Sequence, residues 1–293
     1  MVNEVYKYVP PERIDILESK RICFSKKDQL NDNFEFEVKF NVCGSYKDDL
    51  EYFIEQFCSS TEPSEEKDAL LGLKLFYELK MNKKITMKEF LYFLSNSSSE
   101  IELLMKSLLD RMDEEYVKVI KNLLCVLCLT NSRDSNYMWG HYASSYKGFM
   151  IGFNRENSFF DKRISKDDLM RKLKDVIYVD DIPKIYLNYD LNKEGTVSHY
   201  MFHHKHTDHK QEMECRIVDI VSNANFITEN GFHLFDLPKG LITSVTFGHN
   251  MSTDNEAEIR YLIENDDYFD GVTMYKAMPN ADTRKIDRYK LAE

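Results

Sequence analysis

Two apolar runs of strand length, residues 123–129 and 149–153, bracket a short polar and aromatic segment, and no other stretch constrains the fold as much. Neither run has polar residues at helical spacing, so each predicts a strand buried on both faces. Residues 130–135 between them read as a turn. Asp134 or Ser135 suits the cap of a short helix carrying Met138, Trp139, His141 and Tyr142. Gly148 opens the second run. The single tryptophan of the chain therefore stands beside a His-Tyr pair on a connection between two core strands, where ligand-binding groups concentrate. His141 is read as a general base, a stacking partner of Tyr142 or a hydrogen-bonded structural histidine.

Outside this segment the pattern alternates between strand and helix. Residues 5–8 read as a strand, Pro10 and Pro11 open a helix that buries Ile14, Ile16 and Leu17, and residues 21–25 form a second strand before the polar loop KKDQLNDNFE. Residues 46–122 turn helical: Leu50, Phe53 and Phe57 share one face, Leu70, Leu73 and Phe76 another, and Phe90, Phe93, Leu104 and Leu108 supply two more. Thr86 with Glu89 matches a capping box. Beyond residue 154 the pattern predicts a helix over 166–174, a strand over 176–179, a helix over about 197–210, strands over 212–220 and 241–247, a helix over 255–263, and closing strands at 272–275 and 286–291. Strands come from both ends of the chain, which predicts one α+β domain over 1–293 with a large helical insertion at about 46–122.

Charge and apolar-run length exclude some classes. A net charge of -11, from 39 basic and 50 acidic residues, argues against broad non-specific binding to nucleic acid, although not against nucleic acid as a substrate. The start lacks the basic and apolar blocks of a secretory signal, and no apolar run reaches the roughly 18 residues of a membrane span. A cytoplasmic protein with no membrane partner is expected. Cys125 and Cys128 have C-x-x-C spacing, but on a strand they point to opposite faces, so core packing is the expected role.

Two clusters can carry chemistry. On a strand over 212–220, alternation sets Glu212, Glu214 and Arg216 on one face, where Arg216 pairs with one carboxylate and depresses its pKa. The stretch HYMFHHKHTDH offers His199 with His203, or His204 with Asp208, on one face of a helix. No H-E-x-x-H or cysteine partner accompanies them, and no metal is assigned. G-x-S-x-G, G-x-x-x-x-G-K-[ST] and G-x-G-x-x-G are all absent, which removes support for the simplest hydrolase, P-loop and dinucleotide-fold readings.

Five stretches taken together, YKY at 6–8, RICFSKKDQLNDNFE at 21–35, MWGHYASSYKGFMIGF at 138–153, EMECR at 212–216 and VTFG at 245–248, resemble a widespread bacterial family of undefined function found in mobile elements and defence neighbourhoods. The family carries Pro where Asn33 stands and Trp where His209 stands. The order Tyr6 to Tyr8, Ser25, His141 with Tyr142, then Glu212-Met213-Glu214 is also similar to that of the ADP-ribosyltransferase fold, although Lys7 and tyrosines replace the usual first-strand Arg or His. This second resemblance implies a mixed, mostly antiparallel split β-sheet core. It implies Glu214 as catalytic glutamate, Glu212 orienting the acceptor and His141 as a third catalytic group, with Tyr8, Ser25, Asn31, Trp139, Tyr142 and Arg216 at the NAD site. NAD is then a substrate, its ADP-ribose passing to a protein or nucleic-acid acceptor or to water, in a toxin or defence effector with an antitoxin or defence-system partner. The alternatives are a nucleotide- or phage-component-binding sensor and a metal-dependent nuclease built on the histidines.

Overall fold

The computed structural model describes residues 3–41, 74, 78, 82–96, 98–165, 168, 170–186 and 201–292. Its contacts divide the chain into two compact units, one joining Met1–Phe36, Ile120–Asp181 and Phe202–Glu293 and the other joining Glu37–Val119 and Ile182–Met201. Strands are numbered along the chain as β1 (Glu4–Val9), β2 (Arg21–Phe24), β3 (Lys39–Asn41), β4 (Leu124–Thr130), β5 (Phe149–Asn154), β6 (Lys174–Asp175), β7 (Ile177–Val179), β8 (Lys184–Tyr186), β9 (His204–His206), β10 (Glu214–Ile220), β11 (Phe226–Ile227), β12 (His233–Asp236), β13 (Ile242–Phe247), β14 (Thr273–Asn280) and β15 (Lys285–Lys290).

The first unit is built on an eight-stranded sheet in the order β15-β14-β13-β5-β1-β4-β10-β6. Its pairings are antiparallel except β13 with β14, in line with the mixed, mostly antiparallel α+β architecture expected. Strand alternation gives the sheet two faces. Val5, Val9, Leu127, Leu129, Ile151, Phe153, Ile217, Val245 and Phe247 enter one core with Ile16, Leu17, Phe24 and Phe235, covered by Ile259 and Ile263 of the helix Thr253–Asn265. Each of these large side chains contributes about 1.5–3 kcal/mol by leaving water. Tyr6, Tyr8 and Met150 point the other way, against Met138 and Trp139.

The sheet forks between β1 and β4. These strands pair only at Tyr6 with Thr130, whereas β1 runs along β5 from Glu4 to Val9 and β4 runs along β10 over its full length. Beyond the fork, Ser25 exchanges two backbone hydrogen bonds of 2.8 Å with Val126, so a residue following β2 takes the place that β1 leaves.

Among the described residues, one expected helix is not formed and another stops early. Of 166–174, Lys172 bridges to Asp161 and β6 joins β10. Of the helix expected over 197–210, Met201 and Phe202 are helical, but β9 then pairs in parallel with β7, and Thr207–Glu212 follows as a 3-10 turn. The reason is burial: His203, His204 and Lys205 are all buried, and three consecutive inward residues are incompatible with a helix exposing one polar face.

In the second unit, β3 pairs in parallel with β8, and the helices Met87–Asn96 and most of Ser98–Leu123 fall here. The capping box forms as expected, with Thr86 N–H donating to Glu89 at 2.7 Å and Glu89 N–H to Thr86 Oγ1 at 3.2 Å. The helices expected around 50–57 and 70–79 lie outside the described residues, apart from Lys74 and Glu78, both helical and paired at 2.7 Å. Among the described residues no helix is long and apolar enough to cross a membrane.

Candidate functional site

A cavity of about 210 Å³ occupies the fork, walled by Tyr6, Lys7 and Tyr8 of β1, Cys128 and Leu129 of β4, Ser25, the loop residues Gln29, Asn31 and Glu35, Met138 and Tyr142, and Lys205, Glu212 and Glu214. Lys7 Nζ donates to the Cys128 carbonyl at 2.8 Å, spanning the gap where ladder hydrogen bonds stop. Burial draws the Lys7 ammonium below its usual pKa.

The floor is a buried charge network. Lys205 Nζ lies 2.7 Å from Glu212 Oε2, 3.1 Å from Glu214 Oε2 and 3.6 Å from Glu35 Oε2. Arg216, fully buried, places Nη1 2.7 Å from Glu35 Oε1 and donates from Nε to Glu214 Oε1 at 2.8 Å. Burial opposes ionisation of Glu214, but Arg216 and Lys205 outweigh it and bring its pKa down to about 2. Glu35 shifts the other way: burial, reinforced by the Glu214 carboxylate, exceeds the pull of Arg216 and Lys205 and raises its pKa. Lys205 is held protonated by the surrounding carboxylates against its own burial. The environment therefore shifts the two acids in opposite directions, Glu214 down and Glu35 up, the pattern that assigns acid and base roles in enzymes.

Tyr142 ties the aromatic helix to this floor. Ser135 caps the helix Asn136–His141 through its Oγ, as expected, with Met138 N–H donating at 3.2 Å. Tyr142 closes it, donating its hydroxyl to Glu212 Oε1 at 2.6 Å and accepting from Asn31 Nδ2 at 3.1 Å. Burial and the Glu212 carboxylate raise the Tyr142 pKa. Beyond it, Ser144, Ser145 and Tyr146 all hold left-handed backbone, φ 47–66°, at a steric cost of roughly 1–2 kcal/mol each. That turn brings Tyr146 back to stack on Trp139 at 6.0 Å.

Seven of the nine residues expected at the site converge here. Tyr8, Ser25, Asn31, Tyr142, Glu212 and Glu214 wall the cavity, and Arg216 supports its floor. Two do not. Trp139 is fully buried behind Tyr8, ring edge to face at 5.0 Å, and has no surface to offer a ligand. His141 is exposed, tilted against the Tyr137 ring at 4.4 Å and absent from the cavity wall. The expected face shared by alternation is also corrected. Glu212 ends a 3-10 turn and Met213 sits at φ 46°, so the two glutamates meet through a left-handed bend, not through strand periodicity. Of the histidine cluster, His199 lies outside the described residues. Among those described, no three His, Cys, Asp or Glu side chains are placed to hold a metal.

Lys205 and Glu35 were not singled out in the sequence. Lys205 is the one cation within a histidine-rich stretch, and Glu35 ends a loop that reads as solvated. The signal available was the fixed proximity of both to stretches with chemical character.

The core of this arrangement is also where the chain is similar to other proteins. Residues 138–217 match a family described as Protein of unknown function (DUF2971). The DUF2971 match takes in Tyr142, Lys205, Glu212, Glu214 and Arg216, and leaves β1 and the Asn31–Glu35 loop outside it. No curated protein and no solved structure matches the chain. The likeness to an uncharacterised domain family therefore holds over that stretch.

Because Trp139 is the only tryptophan, it reports on the packing behind Tyr8. Its emission is expected to be blue-shifted, poorly quenched by acrylamide and unchanged by NAD, and Trp139→Ala to cost about 3–5 kcal/mol of stability. Quenching as free as that of a small indole in water would contradict the placement.

Proposed function

We propose that the cavity binds the nicotinamide-ribose end of NAD and cleaves the glycosidic bond between them, passing ADP-ribose to a macromolecular acceptor or to water. The observation that supports this is the meeting of Glu212 and Glu214 with Tyr8, Asn31 and Tyr142 around one cavity. With all of them ionised, Glu35, Glu212 and Glu214 balance Lys7, Lys205 and Arg216, and three tyrosines form the wall. A cationic aromatic ring suits that lining. At about 210 Å³ the cavity is smaller than sites that enclose a drug-sized ligand, which fits one end of a dinucleotide.

In this mechanism the C–N electrons leave with the pyridinium ring, which departs as neutral nicotinamide, and positive charge develops on the ribose. The ionised Glu214 opposes that charge. A hydroxyl or water then bonds to the sugar carbon, and its proton passes to Glu35, whose raised pKa suits it as acceptor. Glu212, fixed by Tyr142 and Lys205, orients the incoming group.

The experiment is to incubate the purified chain with NAD and measure nicotinamide. Absence of both nicotinamide release and NAD binding would end this reading. A sensor that binds nucleotide without turnover is favoured by one observation: each oxygen of Glu212 and Glu214 already faces a protein donor, Tyr142, Lys205 or Arg216. It predicts NAD affinity with no nicotinamide formed. The nuclease reading is not carried further, because the Lys205 ammonium stands among the three carboxylates that would otherwise gather a divalent ion. The effector role in a toxin or defence system rests on the family resemblance.

A further inference from the structure

Cleavage of NAD leaves one nucleophile of the cavity unused. β1 is buried at Val5, Tyr6, Tyr8 and Val9, and Lys7 between them keeps partial exposure in the cavity wall. The other lysine of that wall is committed, since Lys205 lies within 3.6 Å of three carboxylates. Lys7 makes no ion pair among the described residues and donates to the neutral Cys128 carbonyl at 2.8 Å. A carboxylate would hold the nitrogen charged, whereas a carbonyl oxygen accepts from an amine as well as from an ammonium. The neutral amine gives one N–H to Cys128 and keeps a second N–H and its lone pair. Burial, which draws the Lys7 ammonium below its usual pKa, favours that neutral form. Desolvation without a counter-ion is one of the ways in which lysine nucleophiles are activated.

Cavity size and the nearby loop narrow the ligand. About 210 Å³ suits a molecule smaller than a drug-sized one. Gln29 and Asn31 of the wall each use one end of the side-chain amide: Gln29 Oε1 accepts from Lys26 N–H at 2.9 Å, and Asn31 Nδ2 donates to the Tyr142 hydroxyl at 3.1 Å. Gln29 Nε2 and Asn31 Oδ1 have no protein partner among the described residues. The wall therefore offers one donor and one acceptor to the hydroxyls of a ligand.

We infer that Lys7 is an imine-forming lysine and that the cavity takes the open-chain aldehyde of a small sugar, its hydroxyls received by Gln29 and Asn31. The Nζ lone pair bonds to the aldehyde carbon as the C=O π pair moves to oxygen. That oxygen takes one proton from nitrogen, giving a carbinolamine. It then leaves as water with the second N–H proton, and the C=N bond forms. The step needs no oxidant or reductant, and water reverses it. Nothing in it depends on NAD cleavage.

Reductive trapping tests the inference. The folded chain is treated at neutral pH with glyceraldehyde and cyanoborohydride, whose hydride converts an imine to a stable secondary amine, and peptides are mapped by mass spectrometry. Lys7 is expected to be labelled about tenfold or more faster than the exposed Lys147 and Lys210, as its larger fraction of free amine dictates. The preference should vanish when the same protein is unfolded in urea, a control that needs no variant. Acetaldehyde, which lacks hydroxyls, should show a smaller preference for Lys7, and Asn31→Leu should lower the preference for glyceraldehyde to that level. The inference is overturned if Lys7 in folded protein reacts no faster than the exposed lysines, if the preference survives unfolding, or if acetaldehyde and glyceraldehyde favour Lys7 equally. Lys7 labelling with neither nicotinamide release nor NAD binding would keep this role and remove the NAD reading. Nicotinamide release with no preference for Lys7 would do the reverse.

Discussion

Replacing Arg216 by Met is expected to lower the unfolding free energy by about 3–5 kcal/mol, the cost of breaking a buried ion pair from one side. Arg216 is fully buried, with Glu35 and Glu214 oxygens each 2.7 Å from its terminal nitrogens. Its loss leaves Lys205 as the sole cation among three buried carboxylates. Glu35→Gln in the Arg216→Met background is expected to recover part of the loss, because it removes one uncompensated charge, and a double-mutant cycle isolates that coupling. The pH dependence has a defined sign. Glu214, depressed from 4.5 to about 2 in the folded protein, adds stability that is fully present above about pH 4.5 and lost as pH falls toward 2. Glu35, raised by burial, acts oppositely, favouring the folded state at low pH and losing that contribution as pH rises through its folded pKa. Denaturant titrations of wild type should therefore show falling stability between pH 4.5 and 2, and Arg216→Met should flatten this slope. A loss under 1 kcal/mol for Arg216→Met, well below the range for buried pairs, would contradict a network held by that guanidinium.

Glu214→Gln is expected to reduce nicotinamide release by about 10²–10³-fold, the scale for removing one preorganised electrostatic group. Glutamine keeps the shape and lacks the charge that opposes the oxocarbenium. NAD affinity should change far less, since the aromatic wall and Glu212 remain. The variant leaves Lys205 and Arg216 with one carboxylate fewer, so Trp139 emission should first confirm that it folds. Turnover preserved in Glu214→Gln would refute the assigned role, and a wild type that binds NAD without releasing nicotinamide would identify the sensor.

The sequence was legible where one physical signal dominated. β4 and β5 are apolar up to their last residues, Thr130 and Asn154, and burial on two faces leaves no other reading. The two glutamates lie close in the chain, so their convergence survived an error about the backbone between them. The aromatic helix was harder. It has six residues, and side chains on a helix rotate by about 100° per position, so His141, two positions on, faces away from Trp139. Too short for an apolar period, the segment gives no sign of which faces inward, and the strained turn after it fixes the choice. Lys205 and Glu35 were hidden for a different reason. A lysine among histidines and a glutamate in a polar loop have the composition of solvated surface, and only tertiary pairing makes them buried.

One consequence of the fork concerns mechanics. Across the β1–β4 seam the sheet is two panels, five strands and three, stitched by one register pair at Tyr6 and Thr130 and by side chains: Lys7 and Tyr8 reach Cys128 and Ser132, and Arg155 reaches Asn131 and Asp175. Each panel keeps its own ladders when the seam widens, so the aperture can breathe without any strand coming undone. A molecule touching Tyr8 on one panel and Glu214 on the other would act as a rivet. Amide exchange near Thr130 and Asn131 should then slow on binding, while the interior of the β5–β13 ladder stays as it was.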